Sequence, residues 1–179
     1  MHTHYDTQLS MLYIDSLPGN LFKVPDYTKF FIVNTWSKNT IKTVDYVYNK
    51  KWLAIGIVDN CNLSRINVYT NTWLYGWLRK RVCTIAKDVV FKKLLNISHT
   101  GRCIAVLVSK FNREYVYVYV WDKECDMYHH LEHTSIETED AINTVRVYMD
   151  ALSPYNPWNE NIDMRITVEL PDGFIRRVV

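Results

Sequence analysis

Cys125, His129, His130 and His133 form the pattern Cys-x3-His-His-x2-His. On a helix, Cys125, His129 and His133 would share one face at four-residue spacing. A thiolate with two imidazoles suits Zn²⁺. No second Cys/His pair stands at a matching spacing, so the expectation is a polar loop with surface histidines and no metal. Just before them, Asp122, Glu124 and Asp126 place three carboxylates close together. As general acids or bases these would need a positioned substrate and a partner of shifted pKa. As a solvated loop they need nothing. A third group is basic: Arg79, Lys80, Arg81, Lys87, Lys92 and Lys93. It could touch phosphates or simply face water. No nucleophile–base arrangement and no glycine-rich phosphate loop is present. The expectation is a non-catalytic binder without a cofactor. An enzyme would need the acidic loop or the histidines to enclose a pocket.

The elements that must position these groups fit one domain. The chain has 179 residues, 48% of them apolar and 22% charged, which is enough to bury a core. Gly and Pro number only 5 each, so long flexible linkers are not expected. A net charge of +2 is too small for a general nucleic-acid binder, so any such contact would be local. The 13 Tyr and 6 Trp either fill half-buried strands or offer a stacking platform. Cys61, Cys83, Cys103 and Cys125 form no Cys-x-x-Cys pair and are expected as free thiols of a reducing, cytoplasmic compartment. No run approaches the ~18 apolar residues of a membrane helix.

Along the chain, residues 1–27 are expected as a leader and 28–179 as a single α+β domain. Lys29 to Trp36, Val44 to Tyr48, Trp52 to Val58 and Arg65 to Tyr69 carry β-branched and aromatic strand patterns. The near-continuous apolar run Trp52 to Val58 predicts a strand buried on both faces. Leu74, Trp77, Leu78, Val82, Ile85, Ala86, Val89 and Val90 recur at gaps of three and four, which predicts a helix capped at Asn71 or Thr72. Arg102 to Ser109 and Tyr115 to Trp121 predict a second hairpin. Ala141, Ile142, Val145, Tyr148, Met149 and Leu152 predict a second helix, capped by Thr134 or Ser135 and stopped by Pro154. Met164 to Leu170 and Phe174 to Val179 predict a closing hairpin across Pro171-Asp172-Gly173. The expected shape is one curved antiparallel β-sheet, built from β-hairpin-plus-helix units, with both long helices on one face.

A repeat competes with this shape. Trp52-Leu-Ala-Ile and Cys103-Ile-Ala-Val lie 51 residues apart, and Trp121-Asp122 ends a strand, as in propeller blades. The helical periodicity between the strands weighs against blades. So does a chain too short to close a propeller alone.

Several stretches resemble the cap-binding translation initiation factor 4E family over roughly residues 50–179. They are Lys51-Trp52-Leu53, Thr72 to Leu78 (TWLYGWL), Gly101 to Lys110, the strand ending at Trp121, Asp140 to Leu152, and Phe174 to Val179. The resemblance implies that a methylated guanine is held between two Trp rings, gaining a cation–π contribution. Trp121 matches a cap-proximal Trp and Lys110 a phosphate contact, with Arg113 beside it. Trp36 is the opposing ring. The family follows that Trp with an acid; here Ser37 follows Trp36, and Asp45 is the nearest carboxylate for the guanine edge. The second hairpin would then present Trp121 and Lys110 at one end of the sheet, with an RNA cap or guanine nucleotide as partner and no membrane.

A second reading is a protein-interaction or structural accessory factor, for example a viral or regulatory one. It would self-associate or bind a protein through aromatic-rich strands. Its pairing surface would be an exposed edge strand such as Tyr115 to Trp121.

Overall fold

The computed structural model describes residues 3–6, 11–14, 29–32, 41–72, 76–136, 145–151, 164–170, 173 and 175–177. Strands are the only regular elements among the described residues, so the α+β expectation with two long helices is overturned. The single curved sheet is overturned with it, because the strands form four separate antiparallel meanders. The first contains β1 (Thr3–Asp6), β2 (Met11–Ile14) and β3 (Lys29–Ile32), so two strands come from the stretch expected as a leader. The second contains β4 (Ile41–Tyr48), β5 (Trp52–Asp59), β6 (Ser64–Thr72) and β7 (Gly76–Thr84). The third contains β8 (Val90–Ile97), β9 (Cys103–Lys110), β10 (Arg113–Asp122) and β11 (Met127–Ile136). The fourth contains β12 (Arg146–Ala151), β13 (Met164–Glu169) and β14 (Ile175–Arg177).

Period-two geometry explains the core. Successive side chains of a strand point to opposite faces. On β9, Ile104, Val106 and Val108 pack toward the second sheet, and Cys103, Ala105 and Leu107 toward the fourth. On β10, Tyr117, Tyr119 and Trp121 face the second sheet, and Val116, Val118 and Val120 the fourth. Both strands are apolar without alternation because both of their faces are covered. Each wholly buried Leu, Ile or Val contributes about 1.5–3 kcal/mol. Gly56 lets β5 and β8 approach closely: a Cβ there would stand 2.5 Å from Phe91 Cζ.

Polar side chains tie together the strands that open the sheets. Asp45 Oδ2 on β4 accepts from the Leu94 N–H on β8 at 2.6 Å. The Asn49 amide donates to the Ile97 and Ser98 carbonyls at 3.2 and 3.0 Å. The Asn96 amide donates to the Val147 carbonyl on β12 at 2.7 Å. Four-stranded meanders stacked face to face in chain order are how propeller blades are built. The blade-like repeat, weighed against helical periodicity in the sequence, is the pattern these strands follow.

The first predicted helix is instead β7, the turn after it, and β8. Its apolar stripe never shared a face: Leu78, Val82, Ala86 and Val90 are exposed, whereas Ile85 and Val89 are buried. In β8 the pairing register shifts at Phe91/Lys93 and again at Leu94/Asn96. Each bulge adds a residue to the repeat. Buried residues therefore recur every third position, at Phe91, Leu94 and Ile97, just beyond the stripe that predicted the helix. The second predicted helix contains β12, where buried Val145 and Val147 alternate with exposed Arg146 and Tyr148. Its first half, 137–144, lies outside the described residues.

Candidate functional site

The two ends of the stacked second and third sheets differ in chemistry. At one end, Trp52 opens β5 and Trp121 sits near the end of β10. The Arg81 guanidinium of β7 lies between them, 5.0 Å from the Trp52 ring centroid and 4.3 Å from that of Trp121. Both contacts fall within cation–π range. Arg81 also donates to the Gly101 carbonyl at 3.1 Å, and Tyr128 Oη donates to the same oxygen at 2.5 Å. Burial pushes the Tyr128 phenol well above its ordinary value, with Arg81 opposing. Tyr128 meets Trp121 edge-on at a centroid distance of 5.1 Å. Gly101 holds a positive φ of 69°, and a Cβ there would collide with the Trp52 indole. The two rings and the carbonyl that Arg81 contacts are thus fixed by the fold.

The opposite end carries the turns between β5 and β6 and between β9 and β10, together with the link from β7 to β8. Leu63, Val90 and Phe111 are exposed there, Phe111 at 85%. Phe111 and Asn112 form the β9–β10 turn with φ of 51° and 59°. Two positive φ values suit a tight hairpin turn and favour Asn or Gly, not a bulky aromatic. Leu63 is held in its turn because Asp59 Oδ1 accepts from its N–H at 2.9 Å. Around these apolar groups stand Lys87, Asp88, Lys110 and Arg113. Lys110 Nζ is 2.6 Å from Asp88 Oδ2 and 5.5 Å from the Phe111 ring centroid. The pairing with Asp88 raises the Lys110 pKa and lowers that of Asp88.

The structure places the sequence-derived site residues apart. Trp121 is buried, with a ring face covered by Arg81. Lys110 and the exposed Arg113 lie at the other end of β10, roughly 25 Å away at strand rise. The expectation that Trp121 and Lys110 share one end is corrected by hairpin geometry: the end of one strand adjoins the start of the next, so Lys110 pairs with Arg113. Asp45 is half-buried mid-strand, bonded to Leu94. Trp36 lies outside the described residues. Tyr115 to Trp121 belongs to β10, which is paired on both sides by β9 and β11 and so is no edge.

Near the Trp121 end, the β10–β11 turn gathers Asp122, Cys125 and His129, with potential ligand atoms all within 4.8 Å of one another. His130 stacks on Tyr117 at 4.2 Å between centroids. His133 sits opposite Tyr117 and His129 opposite Val120 in the β10–β11 register. Their separation of about 13 Å along the strand keeps His133 from sharing an ion with His129. Cys83 and Cys103 are buried, with thiols pushed up to about 12 and about 11 by burial, while Cys61 and Cys125 are exposed.

Arg81 was hidden in the sequence because the helical reading put it on a solvated basic face. Phe111 was hidden because a turn of Phe-Asn carries none of the usual Gly signals. Most of the described residues in the stretches that carry the family resemblance lie in meander strands; Thr72 and Gly76-Trp77-Leu78, expected to open a helix, belong to β6 and β7. No protein-family model matches this chain, and no curated protein matches it either.

Proposed function

We propose that this chain is a non-catalytic protein-interaction module whose docking surface is the sheet end bearing Leu63, Val90 and Phe111. The observation that carries the reading is Phe111: a large apolar side chain, 85% exposed, on left-handed backbone at a hairpin tip. Left-handed backbone costs a non-glycine residue roughly 1–2 kcal/mol. The exposed phenyl ring has only the Lys110 ammonium at 5.5 Å to offset that, a contact of about 0.5–1 kcal/mol at an exposed site, and strained residues cluster at sites of recognition. An apolar centre with a charged rim of Lys87, Asp88, Lys110 and Arg113 is the composition of a protein interface. Leu63, in the β5–β6 turn, and Val90, on β8, stand at the same end of adjacent sheets, which stack about 10 Å apart, so one partner surface reaches both.

Cap binding has less support. A stacking base would have to displace Arg81 from Trp121, and the paired Lys110 stands too far away to reach the same nucleotide. A photo-crosslinking amino acid at position 111 tests the proposal in the organism's own extract. Discrete protein adducts that vanish with Leu63→Asp are expected. Adducts unaffected by Leu63→Asp, together with tryptophan quenching by a methylated guanine nucleotide, would instead favour the cap reading.

A further inference from the structure

We propose that Asp122, Cys125 and His129 form a three-ligand site for a borderline-soft divalent cation of the Zn²⁺ class. The sequence pattern offered Cys125, His129 and His133; folding as a hairpin exchanges His133 for Asp122. The donor set is mixed: a carboxylate, a thiolate and an imidazole, each an established zinc ligand. The three ligand atoms lie within 4.8 Å of one another, and Asp122 Oδ2 is already 3.8 Å from His129 Nε2. Ligands at 2.0–2.3 Å from a tetrahedral zinc stand roughly 3.3–3.8 Å apart. Closing the site therefore needs a shift of about 1 Å in exposed side chains, which rotamer adjustment supplies.

Asp122 divides its oxygens. Oδ1 accepts from the Glu124 and Cys125 N–H groups at 2.7 and 3.4 Å, and Oδ2 is the one turned to His129. This is the arrangement of a ligand already oriented by the backbone. Glu124 and Asp126 add negative charge to the same turn. On binding the cation, the Cys125 thiol releases its proton to solvent and ligates as thiolate, so affinity rises with pH. Water completes the open fourth position.

Cobalt is the probe, because a thiolate-bound Co²⁺ gives an intense near-ultraviolet charge-transfer band. The full chain, carrying Cys61→Ser to remove the other exposed thiol, is titrated with Co²⁺ and then with competing Zn²⁺. One equivalent with a thiolate band is expected. The band should be absent in Cys125→Ser, and affinity should fall in His129→Ala by more than the roughly 10- to 100-fold that losing an outer-shell partner costs, because a direct ligand is removed. A titration without the band, or a band that survives Cys125→Ser, overturns the site. A second measurement needs no ligand variant: Zn²⁺ should slow alkylation of Cys125 and leave Cys61 of the unmodified chain unaffected. Equal alkylation of Cys125 with and without Zn²⁺ likewise overturns it.

Discussion

The two ends of the stacked sheets spend similar residues in opposite ways. At the Gly101 end, two tryptophans, a tyrosine and an arginine pack on one another, with the buried Trp52 indole N–H left without a hydrogen-bond partner, and the positive φ belongs to a glycine that a side chain could not replace. At the Phe111 end, an aromatic ring stands in water on left-handed backbone with no glycine to relieve it. Aromatic and basic residues at strand ends are therefore not a binding site by type alone. What separates the ends is whether the neighbours already consume the side chain's interactions. The Gly101 end serves stability; the Phe111 end is the one proposed for recognition.

Substitutions can break this contrast. The largest effect is expected from Gly101→Ala, which adds left-handed strain to a collision with Trp52 and should cost about 3 kcal/mol in denaturant unfolding. Arg81→Met removes both cation–π contacts and the bond to the Gly101 carbonyl, and should cost about 2 kcal/mol. A loss near zero would mean that the guanidinium is only a surface group. Phe111→Gly should act in the other direction, raising stability by about 0.5–1 kcal/mol through relief of the positive φ. Arg113→Ala, at the rim, should leave unfolding unchanged within ~0.5 kcal/mol.

The smallest effect concerns Asp45. Burial raises its pKa, opposed by the Leu94 and Tyr46 N–H groups and by Lys93. A raised carboxyl contributes stability below the unfolded pKa and loses it as pH rises through the folded value. Asp45→Asn keeps an acceptor for Leu94 without the buried charge. It should be slightly more stable than the parent chain at pH 7, and the advantage should disappear below the ordinary carboxylate range in a pH series of unfolding curves.

Strands buried on both faces were legible in the sequence, since β5, β9 and β10 are runs of β-branched and aromatic residues. The outer and bulged strands were not. Leu78 and Val82 on β7 and Val90 on β8 are apolar positions that face water, and with buried Ile85 and Val89 they fall at gaps of three and four. Period counting takes that run for a helix, because it assumes that apolar means inward. The 51-residue repeat from Trp52 to Cys103 marks the second strands, β5 and β9, of two successive meanders. For the sites, Trp121 was legible but its covering group was not, because Arg81 comes from a strand whose apolar spacing reads as a helix. Cys125 and His129 were found together; Asp122 was noted only as part of an acidic loop, since its approach to them depends on the turn.

The central claim is that the Phe111 end, not the Trp121 end, recognises a partner. A photo-crosslinking amino acid at position 63 reports on that end without touching Phe111. Adduct yield and unfolding midpoint are then measured with and without Phe111→Gly. The account predicts that the midpoint rises while the protein adduct is lost. An adduct that persists at full yield in the more stable variant would contradict it.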